Sequence, residues 1–453
     1  MGRYLLVAAV TAAAVTLTGF GPAGGAPARA AAPGLRAAPG ARLWVSRYDG
    51  PSGGYDSAHA MAVSPDGSRV FVTGDSWGLR ATGRDYATVA YSAVTGRQLW
   101  VRRYSGPGQR TDIPWSVAVS PDGSRVFVTG QSTIRPHSDA YATIAYDAAT
   151  GRQLWLRRYQ GPANGYSEAA ALAVSPDGRR VFVTGDSYSA GGASGGYATV
   201  AYSAATGRQL WVRRHIPRSG YDHADAVAVS PNGTRVFVTG DADYATVAYS
   251  AATGRRLWAT RFSPRHGSDY GGTVAVSPDG ATVFVTGESD SAGGAGTVYA
   301  TVAYSAVTGG QLWVSRHHNG YGGSMAVSPD GTTVYVSGQP AHGGDLTVAD
   351  SAATGSQRWA SSYSGSDGGA VAVSPDGTTV YVNGTSGGDH GYATVAYNAA
   401  TGSQLWASRY HGPANLGYAC CVAVSPDGTT VYVTGDSYGG PTDYDYATVA
   451  YRS

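Results

Sequence analysis

Ala118-Val119-Ser120-Pro121-Asp122-Gly123-Ser124-Arg125-Val126-Phe127-Val128-Thr129-Gly130 is the stretch that decides the fold. A short apolar strand runs into a Ser-Pro-Asp-Gly turn, and a strand of alternating β-branched and aromatic residues leaves it. The phrase recurs eight times, with its Ser at 64, 120, 175, 230, 277, 328, 374 and 425, at spacings of 46 to 56 residues. A unit of that length has room for four strands and one or two long loops.

Outward from the phrase, each unit continues in strand-like runs separated by turn residues. In the second unit these are Tyr141 to Tyr146 and Leu154 to Tyr159. Strand a is the AVS phrase, b is RVFVTG, c is YATVAY and d is LWVRRY, and no segment carries a helical period. The chain ends cut the repeat in its middle. Tyr446 to Tyr451 is a strand c with no d after it, and Leu43-Trp44-Val45 is a strand d with nothing before it. The sequence therefore predicts an all-β chain: a single eight-bladed β-propeller with four antiparallel strands per blade, closed by the N-terminal strand completing the C-terminal blade.

The first thirty residues read differently. Arg3, the apolar run Tyr4 to Phe20 and the small-residue site Ala28-Arg29-Ala30 have the layout of a signal peptide. Residues 1–30 are expected to be a signal peptide, 31–40 a short flexible lead and 41–453 the propeller. The apolar run is too short to span a membrane, so a secreted, extracellular monomer with no membrane span is expected. Removing residues 1–30 removes Arg3 and Arg29 and no acid, which takes the formal charge from +2 to 0. A neutral chain argues against nucleic acid as a partner. The sequence holds no Ser-His-Asp grouping, phosphate loop or nucleotide fingerprint.

Ala145-Tyr146-Asp147-Ala148-Ala149-Thr150-Gly151-Arg152-Gln153-Leu154-Trp155 resembles the tryptophan-docking motif, A-x-D-x-x-x-G-x-x-x-W, of pyrroloquinoline-quinone (PQQ) dehydrogenase propellers. Gly and Trp persist at Gly96/Trp100, Gly207/Trp211, Gly254/Trp258, Gly309/Trp313, Gly355/Trp359 and Gly402/Trp406, and Gly40/Trp44 serves the split blade. Such motifs span essentially the whole chain after residue 40. The resemblance implies a quinoprotein-like propeller whose motif packs blade on blade without binding cofactor. For the dehydrogenases of that family it also implies PQQ, a cation such as Ca²⁺, a catalytic Asp, an Arg and a Trp floor. Those groups do not align with positions of this sequence. The family resemblance also bears on Cys420-Cys421, because some quinoprotein alcohol dehydrogenases carry a vicinal disulfide beside the cofactor. The residues themselves leave two readings open, a disulfide or two small reduced residues in strand a.

Function is expected where the repeats disagree. The a–b and c–d turns are nearly constant, whereas the b–c and d–a loops vary and gather on the opposite face. Counting back from the Ala of each AVS phrase, the third position holds His59, Trp115, Ala170, Asp225, Gly272, Gly323, Gly369 and Cys420. The fifth holds Ser57, Ile113, Glu168, His223, Tyr270, Tyr321, Asp367 and Tyr418. The candidate ligand-binding set at the channel mouth is therefore His59, Trp115, Glu168, His223, Asp225, Tyr270, Tyr321, Asp367 and Tyr418. Strand alternation would point His223 and Asp225 to one side, with Glu168 on the neighbouring blade, which makes those three the metal candidates. The Arg102-Arg103, Arg157-Arg158 and Arg213-Arg214 doublets lie on strand d and suit edge protection. The leading expectation is a non-enzymatic binding or scaffold module for a protein, glycan or cell-wall ligand. The alternative is a PQQ-dependent or cation-assisted oxidoreductase with its site at the channel mouth.

Overall fold

The computed structural model describes residues 37–78, 83–135, 138–189, 195–215, 223–240, 245–262, 270–290, 297–317, 320–340, 343–386, 390–440 and 443–453. The expected signal peptide lies outside the described residues. Thirty-two strands, numbered β1 to β32 in chain order, form eight four-stranded antiparallel sheets. The first blade runs β2 (Asp56–Val63), β3 (Arg69–Trp77), β4 (Arg84–Ser92) and β5 (Gln98–Tyr104). The eighth has the order β1-β32-β31-β30 and is built from β30 (Gly417–Val424), β31 (Thr430–Tyr438), β32 (Tyr444–Arg452) and β1 (Arg42–Tyr48). Arg47 pairs with Ala447 and Tyr48 with Tyr446, so the two ends of the chain close one sheet, as the split repeat requires.

The inner strands follow one another around the ring: β2, β6 (Asp112–Val119), β10 (Ser167–Val174), β14 (Ala224–Val229), β18 (Tyr270–Val276), β22 (Gly320–Val327), β26 (Val371–Val373) and β30. Each touches the next, and β30 returns to β2. The middle strands are buried on both faces. Val70, Phe71 and Val72 of β3 and Tyr86 and Ala87 of β4 are all fully buried, which is why strand b reads as a nearly continuous apolar run. The core is correspondingly a circle of interblade clusters, each joining residues of two neighbouring blades.

Polar contacts tie each blade to its neighbours. The Trp100 indole N–H donates to Ala148 O at 3.1 Å, Trp155 to Ala204 O at 2.9 Å and Trp211 to Ala251 O at 3.1 Å. Trp44, Trp258, Trp313 and Trp359 make the same bond to the blade that follows. Gly151 shows why the turn carries glycine: its φ is +68°, and a Cβ there would press into the Trp100 ring.

The arginine doublets do more than guard an edge. Arg102 donates through Nε to Gly151 O at 2.8 Å and through Nη2 to Thr150 O at 2.8 Å in the next blade. Arg157 and Arg213 repeat this with Gly207 and Gly254. The second members look backwards. Arg103, Arg158 and Arg214 donate to the Tyr48, Tyr104 and Tyr159 hydroxyls of the preceding blade. Strand alternation thus gives each doublet one staple in either direction. Replacing Arg102 with Met keeps the apolar stem and removes the bonds; chemical unfolding should show a loss of about 1 kcal/mol.

Candidate functional site

A β-bulge sets the geometry of the channel mouth. On β2, Ala58 pairs with Gly74 and Ala60 with Thr73, so His59 is skipped by the ladder. The same register shift skips Trp115, Ala170, Asp225, Gly272, Gly323 and Cys420. In seven blades, then, the variable third position is the bulged residue. A bulge breaks alternation and re-aims the extra side chain. It also explains the glycine of each VTG phrase: a Cβ at Gly130 would overlap the Ile113 carbonyl oxygen. The expected alternation of His223 and Asp225 is corrected here, because the bulge falls at Asp225.

Four of the expected residues meet in one run across blades. The His59 and Trp115 rings stand edge to face with centroids 4.5 Å apart. The Trp115 indole donates to Glu168 Oε1 at 2.6 Å, and the Tyr166 hydroxyl donates to Glu168 Oε2. Glu168 pairs in register with Asp186, whose Oδ2 lies 2.6 Å from His223 Nδ1. Tyr188 OH lies 3.3 Å from the same imidazole. Burial pushes both the Glu168 and Asp186 carboxyls above the usual carboxylate range. For Glu168 the nearby Asp186 charge adds to that rise, and for Asp186 His223 opposes it.

A second group lies beside the first, on blades 8 and 1. His59 Nε2 is 2.6 Å from Asp75 Oδ1, and Arg84 Nε is 3.4 Å from Asp75 Oδ2. Asp436 accepts from Ser57 Oγ and from the Ala58 N–H, each at 2.8 Å, yet burial pushes its carboxyl up to about 7. Tyr418, 47% exposed, approaches Tyr444, which also meets Tyr55 and Tyr438, and Arg84 lies over the Tyr55 ring. Cys420 and Cys421 form a vicinal disulfide, with Cys421 Sγ 3.3 Å from the His59 carbonyl oxygen.

Asp367 makes a backbone bridge to Thr385, and Asp225 is half-buried on its bulge. Tyr270 and Tyr321 pair through their backbones with Glu288 and Gln339; their side chains lie outside the described residues. Comparing repeats at strand a alone misses Asp75, Asp186 and Asp436. These occupy the residue just after the VTG phrase, at the end of strand b, where the other blades have Gln131, Asp241, Glu288, Gln339 and Thr385. That variation was the available signal.

The mouth has two unlike halves. Blades 8, 1, 2, 3 and 4 supply imidazoles, indole, phenols and carboxylates, whereas the third position is glycine in blades 5, 6 and 7 (Gly272, Gly323 and Gly369). Eight blades place 5, 6 and 7 across the ring from 1, 2 and 3. At the third position, then, one wall carries side chains and the facing one carries none, while Tyr270, Tyr321 and Asp367 hold the fifth positions of blades 5, 6 and 7.

A closed ring of eight tryptophan-docked blades with a side-chain-lined mouth defines a PQQ-like propeller repeat protein. The chain belongs to the family described as outer membrane protein assembly factor BamB, whose model matches residues 33–213, 196–295 and 294–445. Among solved structures, Chaetomium thermophilum Sqt1 is similar at a TM-score of 0.62 and 12% identity, covering 91% of this chain and 98% of its own. Dihydro-heme d1 dehydrogenase NirN in complex with DHE is similar at 0.54 and 15%, covering 78% and 68%. Kuenenia stuttgartiensis hydrazine synthase is similar at 0.50 and 15%, covering 77% and 96%. At such identities the likeness is one of fold. No curated protein matches the sequence.

Proposed function

We propose that the chain is an exported binding module that takes a glycan of the cell envelope, preferably one bearing amino groups, at the channel mouth on its variable face. The observation that carries this reading is the asymmetry of the mouth. Aromatic rings and carboxylates line blades 8 to 4, and the third positions facing them are glycine, which leaves room there for a ligand. Tyr and Trp faces suit the C–H faces of sugar rings, and carboxylates with imidazoles suit hydroxyl and ammonium groups. Charge sets the preference. Glu168, Asp186 and Asp225 bring acid groups to the mouth, and the Arg84 guanidinium beside it already faces Asp75. The leader-like residues 1–30 support export to the compartment where such ligands occur.

The oxidoreductase reading rests on the vicinal disulfide at the mouth. The donor chemistry fits PQQ poorly, because PQQ carries three carboxylates and this wall presents carboxylates to it. No catalytic step through that group is derived.

Both readings can be separated by thermal melts of the protein after residue 30, with glucosamine oligomers, N-acetylglucosamine oligomers, or PQQ with Ca²⁺. A ligand of the native state stabilises by about 2.7 kcal/mol at about 100 times its Kd. Glucosamine oligomers should raise the melting temperature most, and Glu168→Gln with Asp186→Asn should weaken that binding at least tenfold. A rise needing PQQ and Ca²⁺ together, with none from the oligomers, would replace the binding module with the oxidoreductase.

A further inference from the structure

We propose that a groove between the third and fourth blades is a second binding site, where Arg261 and His215 together take the phosphate of a phosphate monoester. β13 (Gln209–His215) is the outermost strand of the third blade, and β16 (Ala245–Ser250) and β17 (Arg256–Thr260) are the outer pair of the fourth. His215, Ala245, Val247, Ala259, Thr260 and Arg261 line a groove of about 470 Å³ there. The inner strands line the channel mouth, so this site lies apart from it and does not rest on the glycan reading.

The other junctions serve as internal controls. Leu257 to Phe262 aligns with Leu99 to Tyr104, which puts Arg261 at the place of Arg103 and His215 at that of Tyr48, Tyr104 and Tyr159. Where the tyrosine is present, its hydroxyl accepts from the facing guanidinium. Arg103, Arg158 and Arg214 bond in this way, and Arg47 does so with Tyr410 at 3.3 Å. Two junctions change both partners: Arg316 lies over the Phe262 ring at 5.3 Å, and His317 bonds Asp350 at 2.8 Å. Between the third and fourth blades the arginine meets an imidazole instead, and no hydrogen bond or ion pair engages Arg261 among the described residues.

His215 is the independent pointer to a ligand. Its ring stacks on Tyr197 with centroids 4.9 Å apart, and its Nε2 is buried without a hydrogen-bond partner. A buried ring nitrogen left in that condition is costly. Burial and the Arg261 and Arg256 guanidiniums hold the imidazole below its ordinary range, so at neutral pH it offers one N–H as a neutral ring and the arginines supply the charge. The space comes from smaller side chains. Ala259 stands where Val101, Leu156 and Val212 do, and Thr260 replaces the arginine that staples to the next blade at Arg102, Arg157 and Arg213. A phosphate turns oxygens in several directions, so a guanidinium from one blade and an imidazole from the other can share it, and two arginines suit its double charge. Ala245, Val247 and Ala259 leave an apolar floor for the organic part.

The test is calorimetry on the protein after residue 30, at low salt in a buffer free of phosphate. One phenyl phosphate should bind per chain, inorganic phosphate more weakly, and acetate at least about tenfold more weakly than phenyl phosphate. Arg261→Gln, at an exposed position, should weaken phenyl phosphate at least about tenfold. His215→Tyr restores the residue of the other junctions and gives Arg261 the acceptor that Tyr159 gives Arg214, so it should abolish binding and raise the melting temperature. Failure of the wild-type chain to bind either phosphate would overturn the proposal. So would undiminished binding by Arg261→Gln, or acetate held as tightly as phenyl phosphate. Glu168→Gln should leave phenyl phosphate binding unchanged; its loss there would move the anion to the mouth and overturn the assignment to this groove.

Discussion

Trp155→Ala should destabilise the chain by about 3–5 kcal/mol, read from urea or thermal unfolding of the full propeller. The indole is 5% exposed and packs within the cluster that joins the second and third blades, with Phe127 at 5.8 Å and Tyr202 at 6.2 Å. Truncation removes that packing and leaves the Ala204 carbonyl without its 2.9 Å donor. The cavity cannot readily collapse, because Gly207, lying against the ring, is held at φ +67° by its own turn. Trp155→Phe keeps much of the packing and loses the bond, so it should cost less than half as much. A loss below about 1 kcal/mol for the alanine variant would mean that the tryptophans do not hold the blades together, and that the arginine staples carry that load.

The ring of blades was legible because it is written in local chemistry repeated eight times. A turn phrase, a glycine at positive φ and a large apolar plate each act within a blade or on the next one, and repetition made every one of them visible. The closure was legible for the same reason, since Leu43-Trp44-Val45 supplies the strand missing after Tyr451. The mouth was only half legible. His59, Trp115, Glu168 and His223 differ among repeats on one strand, and the structure brings them together. Asp75, Asp186 and Asp436 lie at the end of another strand, and only the register of β2 with β3, β10 with β11 (Arg180–Ser187) and β30 with β31 puts them beside the first set. The bulge was hidden for a related reason. It is matched to a glycine on the neighbouring strand, Gly74 for His59, so no reading of strand a alone could place it.

Stability should be greatest near pH 4 and fall between about pH 4 and 7, measured by chemical unfolding. The cause is a set of carboxyls that burial keeps protonated. Asp345 is 1% exposed, and burial lifts it to about 7 against the acceptor bonds it makes with Ser337 at 2.9 Å and Thr347 at 3.3 Å. Its place in the repeat is one that tyrosine fills elsewhere: Asp345 pairs with Tyr363 as Tyr86 pairs with Tyr104. Asp436 is also lifted to about 7, and Asp56 and Asp112 to about 6. In the unfolded chain such groups titrate near 3.9. Between these values the folded chain holds more protons than the unfolded one, so its stability declines as pH rises, and the decline ends above the folded values. The opposite limb comes from the turn aspartates. Asp66, Asp122, Asp279, Asp330, Asp376 and Asp427 are held below the usual range by the serine two residues before each; that stability is present above about pH 4 and is lost in stronger acid. Asp345→Asn keeps the shape and removes the ionisation, so it should stabilise the chain at pH 8 by about 2–4 kcal/mol and flatten the profile between about pH 4 and 7. Below about pH 4, where the carboxyl is neutral in the folded and the unfolded chain alike, the same variant should differ little from the parent. A wild-type profile that rises from pH 4 to 7 would show that Asp345 and Asp436 are ionised in the native fold at little cost, through a compensation that burial and these hydrogen bonds do not supply.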